Sequence, residues 1–264
     1  MFILGKTKGP EKITVDEGHT NNPQKPVTET KINFTVFINE AKKHIDENKV
    51  KLIDSFEHQL LDATDESKKI ELTQKLVDAW KNAGSKIITA EYSRQLAELT
   101  HSPKDYALAG DLLVTAFETA ADTNLSKQLV DAAFGTLQKA IELDTNNIDN
   151  KVNMAACLME GRNQIMDGVP ILLEIVKKSP NHLKANFILA KFAVVSGQYD
   201  KAITRLEKLI SNNPTYTDAY LVLANAYASK GEASKAKATL QKCQQHTTDT
   251  QIKSEVDKLI KQFN

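Results

Sequence analysis

Residues 180–214 read PNHLKANFILAKFAVVSGQYDKAITRLEKLISNNP, and residues 214–248 read PTYTDAYLVLANAYASKGEASKAKATLQKCQQHTT. The two stretches overlay with a constant offset of 34 residues, which places Pro180 on Pro214. The same offset pairs small and apolar positions: Leu189-Ala190 with Leu223-Ala224, Gly197 with Gly231, Ala202 with Ala236, and Leu206 with Leu240. Self-similarity at such a period is the sequence signature of a protein built from stacked structural repeats.

Each repeated position has a physical role in a pair of antiparallel helices. A small side chain at Ala190 or Ala224 lets the two helices of a pair approach closely. Gly197 or Gly231 supplies the left-handed backbone conformation of the turn between them. Because one helix pair cannot bury its own apolar face, neighbouring pairs must stack. The repeat therefore predicts an α-solenoid of antiparallel helix pairs.

The pattern continues toward the N-terminus with decreasing clarity. Asp144-Thr145-Asn146 takes the proline position and Met154-Ala155 the Leu-Ala position, at a spacing of 35 instead of 34. The stretch from Gly161 to Pro170 is irregular where the turn and second helix belong, so we expect a longer loop there. From Phe34 onward, apolar residues recur every three or four positions, which predicts about 12 or 13 helices and an all-α fold.

Two helix starts carry recognisable capping residues. Asp65 can cap a helix that ends at Gly84, since aspartate favours the position before a helix. Ser102-Pro103 is a second start, because serine caps helices and proline is tolerated in their first turn.

The repeated residues resemble the tetratricopeptide repeat family, strongly over about 146–246 and more weakly over 103–145 and 66–102. The resemblance implies that the first helix of each pair lines a concave face, which binds a protein or peptide partner. The slots of the family's chaperone-binding clamp hold apolar residues and a lone lysine, so a chaperone-tail adaptor is not implied. The residues of the implied groove are Val152, Ala156, Met159, Lys184, Phe187, Lys191, Val194, Asp218, Leu221, Asn225 and Ala228.

Residues 1–33 differ from the rest of the chain. They hold three of the seven prolines and three of the ten glycines and lack apolar periodicity, which predicts a disordered linker. The whole chain also looks like tetratricopeptide proteins from Bacteroidetes-type bacteria that begin with one membrane helix. This implies that Phe2-Ile3-Leu4 is the stump of a membrane anchor and that the helical domain is periplasmic. A plain apolar N-terminus on a cytoplasmic protein is the alternative.

The predicted organisation is therefore a linker over 1–33, an N-terminal helical region over 34–102, and repeats with a C-terminal capping helix over 103–264. Lys+Arg and Asp+Glu balance at 34 each, and this neutrality gives no electrostatic footprint for nucleic acid. Cys157 and Cys243 lie two repeats apart, so both thiols should be free. Neither they nor the six scattered histidines have metal-ligand spacing.

No set of residues has the spacing of a catalytic site, and no cofactor is predicted. The chain is instead expected to be a non-catalytic protein–protein interaction scaffold that binds its partner on the concave face. The alternative is a structural spacer or self-association module of the cell envelope, in which the stack pairs with a second copy as a homo-oligomer.

Overall fold

The computed structural model describes residues 34–263, and the predictions for residues 1–33 lie outside this range. The described residues form thirteen α-helices and no strand, which confirms the all-α prediction. A π turn, Cys157–Gly161, extends the seventh helix, and a 3-10 turn, Lys261–Phe263, follows the last. The helices are α1 Phe34–Lys42, α2 Glu47–Asp62, α3 Glu66–Asn82, α4 Lys86–Thr100, α5 Pro103–Thr119, α6 Thr123–Leu143, α7 Ile148–Ala156, α8 Ile165–Lys178, α9 Leu183–Val195, α10 Tyr199–Asn212, α11 Thr217–Ser229, α12 Ala233–His246 and α13 Thr250–Ile260.

Side-chain caps fix several of the helix starts. Asp65 Oδ1 accepts from the backbone N–H of Lys68 at 2.8 Å, and Ser102 Oγ accepts from that of Asp105 at 3.4 Å. These are the two starts predicted from the sequence, and both are confirmed. Each cap satisfies a backbone donor that the first helical turn leaves without a partner.

The described helices divide into two compact units, residues 34–189 and residues 190–263. In the first unit, α2, α3 and α4 enclose a core around Trp80, which is fully buried together with Ile53 and Leu76. Burial of a large apolar side chain contributes roughly 1.5–3 kcal/mol. This core gives the weakly repetitive N-terminal region its own hydrophobic centre.

In the second unit, α11 packs against α10 and α12. Ala202, Ala224 and Ala236 are buried at the small positions of the repeat, which agrees with their predicted role in close helix packing. Helix α13 packs on α12 and carries exposed Asp257 and Lys258 in the slots where the preceding repeat has Leu223-Ala224. The outer surface of α13 is thus polar at positions that are apolar inside the stack.

Three turns between paired helices share one hydrogen-bond pattern around a left-handed glycine. The φ angles of Gly84, Gly197 and Gly231 are 82°, 73° and 87°. In each turn, the N–H of the residue after the glycine donates to the carbonyl five residues earlier, at 3.2, 2.8 and 2.8 Å respectively. This is the pattern of a Schellman motif, and it confirms the predicted role of Gly197 and Gly231.

The turn after α7 has the same form with one extra residue. Asn163 takes the left-handed conformation, with φ of 56°, and the N–H of Gln164 donates to the carbonyl of Leu158, six residues earlier, at 2.7 Å. The extra residue lies in the π turn, where the N–H of Arg162 donates to the carbonyl of Cys157 at 3.0 Å. A π turn adds one residue to a helix. The residue that makes this repeat spacing 35 instead of 34 therefore lies in the π turn.

The prediction of a longer loop over 161–170 is therefore wrong. Helix α8 already begins at Ile165 and contains Pro170 in its second turn. The irregular composition reflects close packing between helices instead. An added Cβ at Gly168 would lie 2.3 Å from Met159 Cγ and 2.9 Å from the carbonyl oxygen of Ala155. Only glycine fits this close approach of α8 to α7.

Candidate functional site

Helix α11 is enclosed except along one stripe. Asp218 is exposed, and Leu221, Asn225 and Ala228 are half-buried. Their spacing of three and four residues places them on one face of the helix. The predicted groove residues of α11 therefore form an accessible surface. The rest of the helix is largely packed inside its unit, with buried side chains at Ala219, Tyr220, Val222, Leu223, Ala224, Ala226 and Tyr227.

Helix α9 carries four predicted groove residues, two in each compact unit. Lys184 and Phe187 belong to the unit 34–189, and both are half-buried. Lys191 and Val194 belong to the unit 190–263, where Lys191 is half-buried and Val194 is 9% exposed. Lys184, Phe187 and Lys191 thus keep accessible surface, whereas Val194 contributes almost none.

The three predicted groove residues of α7 lie in the core. Val152 and Ala156 have no exposed surface, and Met159 is 2% exposed. Helices α5, α6 and α8 all pack against α7 and the π turn and so enclose these side chains. Met159 lies inside the π turn, with its side chain against Gly168. These side chains offer no surface to a partner in this conformation.

A polar cluster joins α5, α7 and the N-terminal part of α9 within the unit 34–189. Asp111 Oδ1 accepts from Asn153 Nδ2 at 3.2 Å and from Lys184 Nζ at 3.0 Å. Asn153 and the neighbouring Asn150 are 3% and 1% exposed. Asn153 Oδ1 and Asn150 Nδ2 have no hydrogen-bond partner among the described residues. A buried acceptor and a buried donor are therefore left unsatisfied beneath an exposed ion pair.

A second polar contact holds the start of α9 to α7. The backbone N–H of Ala185 donates to His182 Nδ1 at 3.4 Å, and His182 Nε2 lies 3.2 Å from Asp149 Oδ1. Because Nδ1 accepts, Nε2 carries the proton and donates to the carboxylate. The start of α9 is thus tied to α5 through Lys184 and to α7 through His182.

The described residues contain no group of three or more histidine, cysteine or acidic side chains arranged to hold a metal ion. Both cysteines are free and buried. Burial raises the pKa of the Cys157 thiol to about 12 and that of the Cys243 thiol to about 11. Both thiols are therefore protonated at neutral pH and are poor nucleophiles.

The sequence reasoning missed Asp111, Asn150 and Asn153. Asp111 follows the buried Gly110 of α5, as Asn225 follows Ala224 in α11. This position, directly after the small residue of a first helix, is one of the groove positions of the regular repeats. Extending the regular register to the weakly similar repeat would have identified Asp111. The buried asparagines gave no such signal, since the partner of Asn153 comes from another helix and the Asn150 amide nitrogen has none among the described residues.

Comparison with known proteins supports the repeat assignment. A family model described as the second ARM domain of tetratricopeptide repeat protein 21 matches residues 161–231. Human tetratricopeptide repeat protein 21B is 31% identical over 75 residues, or 28% of this chain and 6% of that protein. Anaphase-promoting complex subunit 3 of Dictyostelium discoideum is 29% identical over 98 residues, or 37% of this chain and 10% of that protein. The chain thus spans a tenth or less of the length of these two relatives.

Among solved structures, the chain is similar to YrrB, described as a tetratricopeptide protein with an unusual peptide-binding site. The two share 19% sequence identity with a TM-score of 0.45, and the match covers 78% of this chain and 99% of that one. In the part of this chain that the structure describes, no helix is both long and apolar enough to cross a membrane.

Proposed function

Because this chain is a tetratricopeptide-repeat protein, we propose that it is a non-catalytic scaffold that holds a protein or peptide partner on its first-helix face. The observation that carries the proposal is the stripe Asp218, Leu221, Asn225 and Ala228 on the otherwise packed α11. It offers apolar contact area, an amide and a carboxylate, the mixture that a specific protein interface uses. One relative named above is a subunit of a multiprotein complex, which agrees with such a role.

The test is capture of a partner from a lysate of the native organism, followed by affinity measurement with that partner. Leu221→Ala combined with Asn225→Ala should weaken binding at least tenfold, since truncating central contacts removes most of the binding energy. Lys208→Ala combined with Lys242→Ala changes exposed residues of the second helices α10 and α12 and should leave affinity unchanged. Equal affinity of the α11 variant and the parent would refute the proposed face.

Phe187 and Lys191 provide a second test on α9. Changing both to alanine removes apolar area and a positive charge that suits an acidic partner. Weaker binding with unchanged thermal stability is expected for a role in recognition. Light scattering of the purified chain checks the alternative of self-association, for which a dimer or larger species would be required.

We also propose that the native protein is tethered to the membrane, with the helical domain on the periplasmic side. Support comes from the apolar Phe2-Ile3-Leu4 followed by Lys6 and Lys8, and from the resemblance to anchored bacterial relatives. These residues lie outside the described range. Cell fractionation of the full-length native protein decides the question. Recovery wholly in the soluble cytoplasmic fraction, with no upstream apolar segment in the gene, would overturn this location.

A further inference from the structure

Helix α8 carries apolar side chains on the side that faces away from α7. Met166, Pro170 and Leu173 are all exposed, Met166 by 84% and Leu173 by 48%. Their spacing of four and three residues places them in one line along the helix, the α8 stripe. Gly168, which meets α7, and Ile175 are buried on the opposite side. The α8 stripe therefore has no role in the packing of α8 on α7.

The α8 stripe distinguishes α8 from the second helices α6, α10 and α12. Aligning Gly168 with the small buried residue of each of these helices identifies the matching positions. No apolar side chain larger than alanine occupies them. The matching residues are Asp131, Gly135 and Gln138 in α6, Asp200, Thr204 and Glu207 in α10, and Ser234, Ala238 and Gln241 in α12. The repeat register thus does not require apolar residues here, and an exposed line of them marks an interaction surface.

A charged residue lies at each end of the α8 stripe. Asp167 stands in the first turn of α8 and Lys177 in the last, and both are exposed. Neither forms a salt bridge among the described residues, whereas the neighbouring Lys178 is paired with Glu174 at 2.6 Å. The surface that covers the α8 stripe should therefore offer a cation at one end and an anion at the other.

A second copy of α8 offers this arrangement when the two helices lie antiparallel. Asp167 and Lys177 stand five residues before and five residues after Leu172. A two-fold axis beside Leu172 therefore sets Asp167 of each copy at the level of Lys177 of the other. The same axis brings Leu173 of each copy beside Pro170 of the other. One arrangement thus covers both stripes and pairs both sets of charges.

We propose that the chain forms a two-fold dimer in which the α8 stripes of two copies pair antiparallel. The dimer goes beyond the proposed scaffold function and does not replace it, since α11 belongs to the other compact unit. Each dimer carries two α11 stripes, so a partner with two binding segments would be held more tightly than by one copy.

Sedimentation velocity of the full chain across a concentration series tests the dimer. We expect a dissociation constant on the order of 10–100 µM, because one helix pair lies at the small end of protein interfaces. Met166→Glu combined with Leu173→Glu should weaken the dimer about tenfold or more, with folding checked by circular dichroism. Thr204→Glu combined with Gln241→Glu adds the same charge at matching exposed positions of α10 and α12 and should change nothing.

Two outcomes would overturn the dimer. A parent chain that is still monomeric at about 500 µM, well above the range expected for so small an interface, would leave the α8 stripe to a different protein. A dimer that tolerates the Met166 and Leu173 changes would place self-association on another surface. A dimer that binds no partner would instead refute the proposed function and leave the α8 pairing intact.

Exchange of the end charges tests the antiparallel arrangement. Asp167→Lys alone and Lys177→Glu alone should each weaken the dimer about tenfold, because each sets like charges opposite one another twice. An equimolar mixture of the two variants should recover the affinity of the parent, since both charge pairs attract in the mixed dimer. Two variants that stay as weak when mixed as when separate would overturn the antiparallel pairing.

Discussion

The repeat Ile148–Lys178 and the repeat Thr217–His246 differ in length by one residue, and the fold absorbs the difference inside a helix. In the regular repeat, the first helix ends at Ser229 and Gly231 turns the chain. In the longer repeat, the first helix continues through a π turn, and Asn163 turns the chain. Both turns place a left-handed residue immediately before the residue that caps the second helix. The turn therefore keeps its form in both repeats, although the chain reaches it through one more residue.

The two repeats also differ in what surrounds their first helices. Toward α8, the π turn places Met159 against position 168, where the regular repeats carry Ala202 and Ala236. On the first-helix face, α7 is covered while α11 keeps an accessible stripe. One inserted residue thus changes which side chain of the first helix meets the second helix, while the turn between the helices keeps its form.

The largest expected effect is that of Gly168→Ala. Alanine is the residue of the regular repeats at this position, yet its Cβ would lie 2.9 Å from the carbonyl oxygen of Ala155. Met159 can rotate away, but the carbonyl can move only with α7. Overpacking of this kind costs about 1–3 kcal/mol, and we expect a loss of about 2 kcal/mol in the free energy of unfolding, measured by urea titration.

Gly135→Ala is the matched control for that substitution. Gly135 is an exposed residue within α6, and nothing lies within 4 Å of an added Cβ. Alanine should therefore stabilise the protein by about 0.8–1 kcal/mol through its higher helix propensity. A Gly168→Ala protein as stable as the parent would show that α7 and α8 are not in close contact at this point.

The two buried cysteines give the next comparison. The pKa of the Cys157 thiol, about 12, lies above that of the Cys243 thiol, about 11. The thiolate is the reactive form, so the thiol whose pKa is raised less by burial is expected to react faster. In single-cysteine variants made with serine, we expect Cys243 to react faster than Cys157 with a disulfide reagent at pH 8. Faster reaction of Cys157 would indicate that the π turn opens more readily than α12.

The contribution of these two buried thiols to the free energy of unfolding decreases as pH rises. Burial favours the neutral thiol, so the stabilisation is complete below the usual pKa of a cysteine and is lost as pH rises toward 11 or 12. Titration of the unfolded, unreduced chain should give two free thiols per monomer. A chain without free thiols would show that Cys157 and Cys243 form a disulfide, which contradicts their state in the structure.

A smaller effect is expected for Gly231→Ala in the regular repeat. No atom lies within 4 Å of an added Cβ at this position, so the cost comes only from the left-handed φ of 87°. Such a conformation costs an alanine about 1–2 kcal/mol, and we expect a loss of about 1 kcal/mol by urea titration. Gly197→Ala, with φ of 73° and equally open space, should behave in the same way. A loss similar to that of Gly168→Ala would mean that steric contact matters here too.

The sequence predicted the regular repeats well because residues with the same role in each helix pair recur at a constant spacing of 34 residues. The glycines at 197 and 231, the caps at Asp65 and Ser102, and the helical content all follow from local rules. The π turn was not predicted, since the composition of 161–170 suggested a loop. Placing one extra residue before Asn163 would have aligned Asn163 with Gly197 and Gly168 with Ala202. The burial of Val152 and the ion pair of Lys184 with Asp111 depend on distant segments, which no local pattern reports.

The smallest effect is expected where the longer repeat is made to resemble the regular one. Asn163 holds a left-handed conformation, φ 56°, that asparagine tolerates better than other side chains but less well than glycine. Asn163→Gly should therefore relieve strain in the folded state while increasing the entropy of the unfolded chain. The two effects oppose each other, and we expect a net gain of about 0.5 kcal/mol in thermal or urea unfolding. Asn163→Ala should instead lose about 1 kcal/mol. Alanine has neither the freedom of glycine at positive φ nor the tolerance of asparagine for this conformation. If the alanine variant is as stable as the glycine variant, residue 163 is not left-handed and the extra residue lies in the turn instead of the helix.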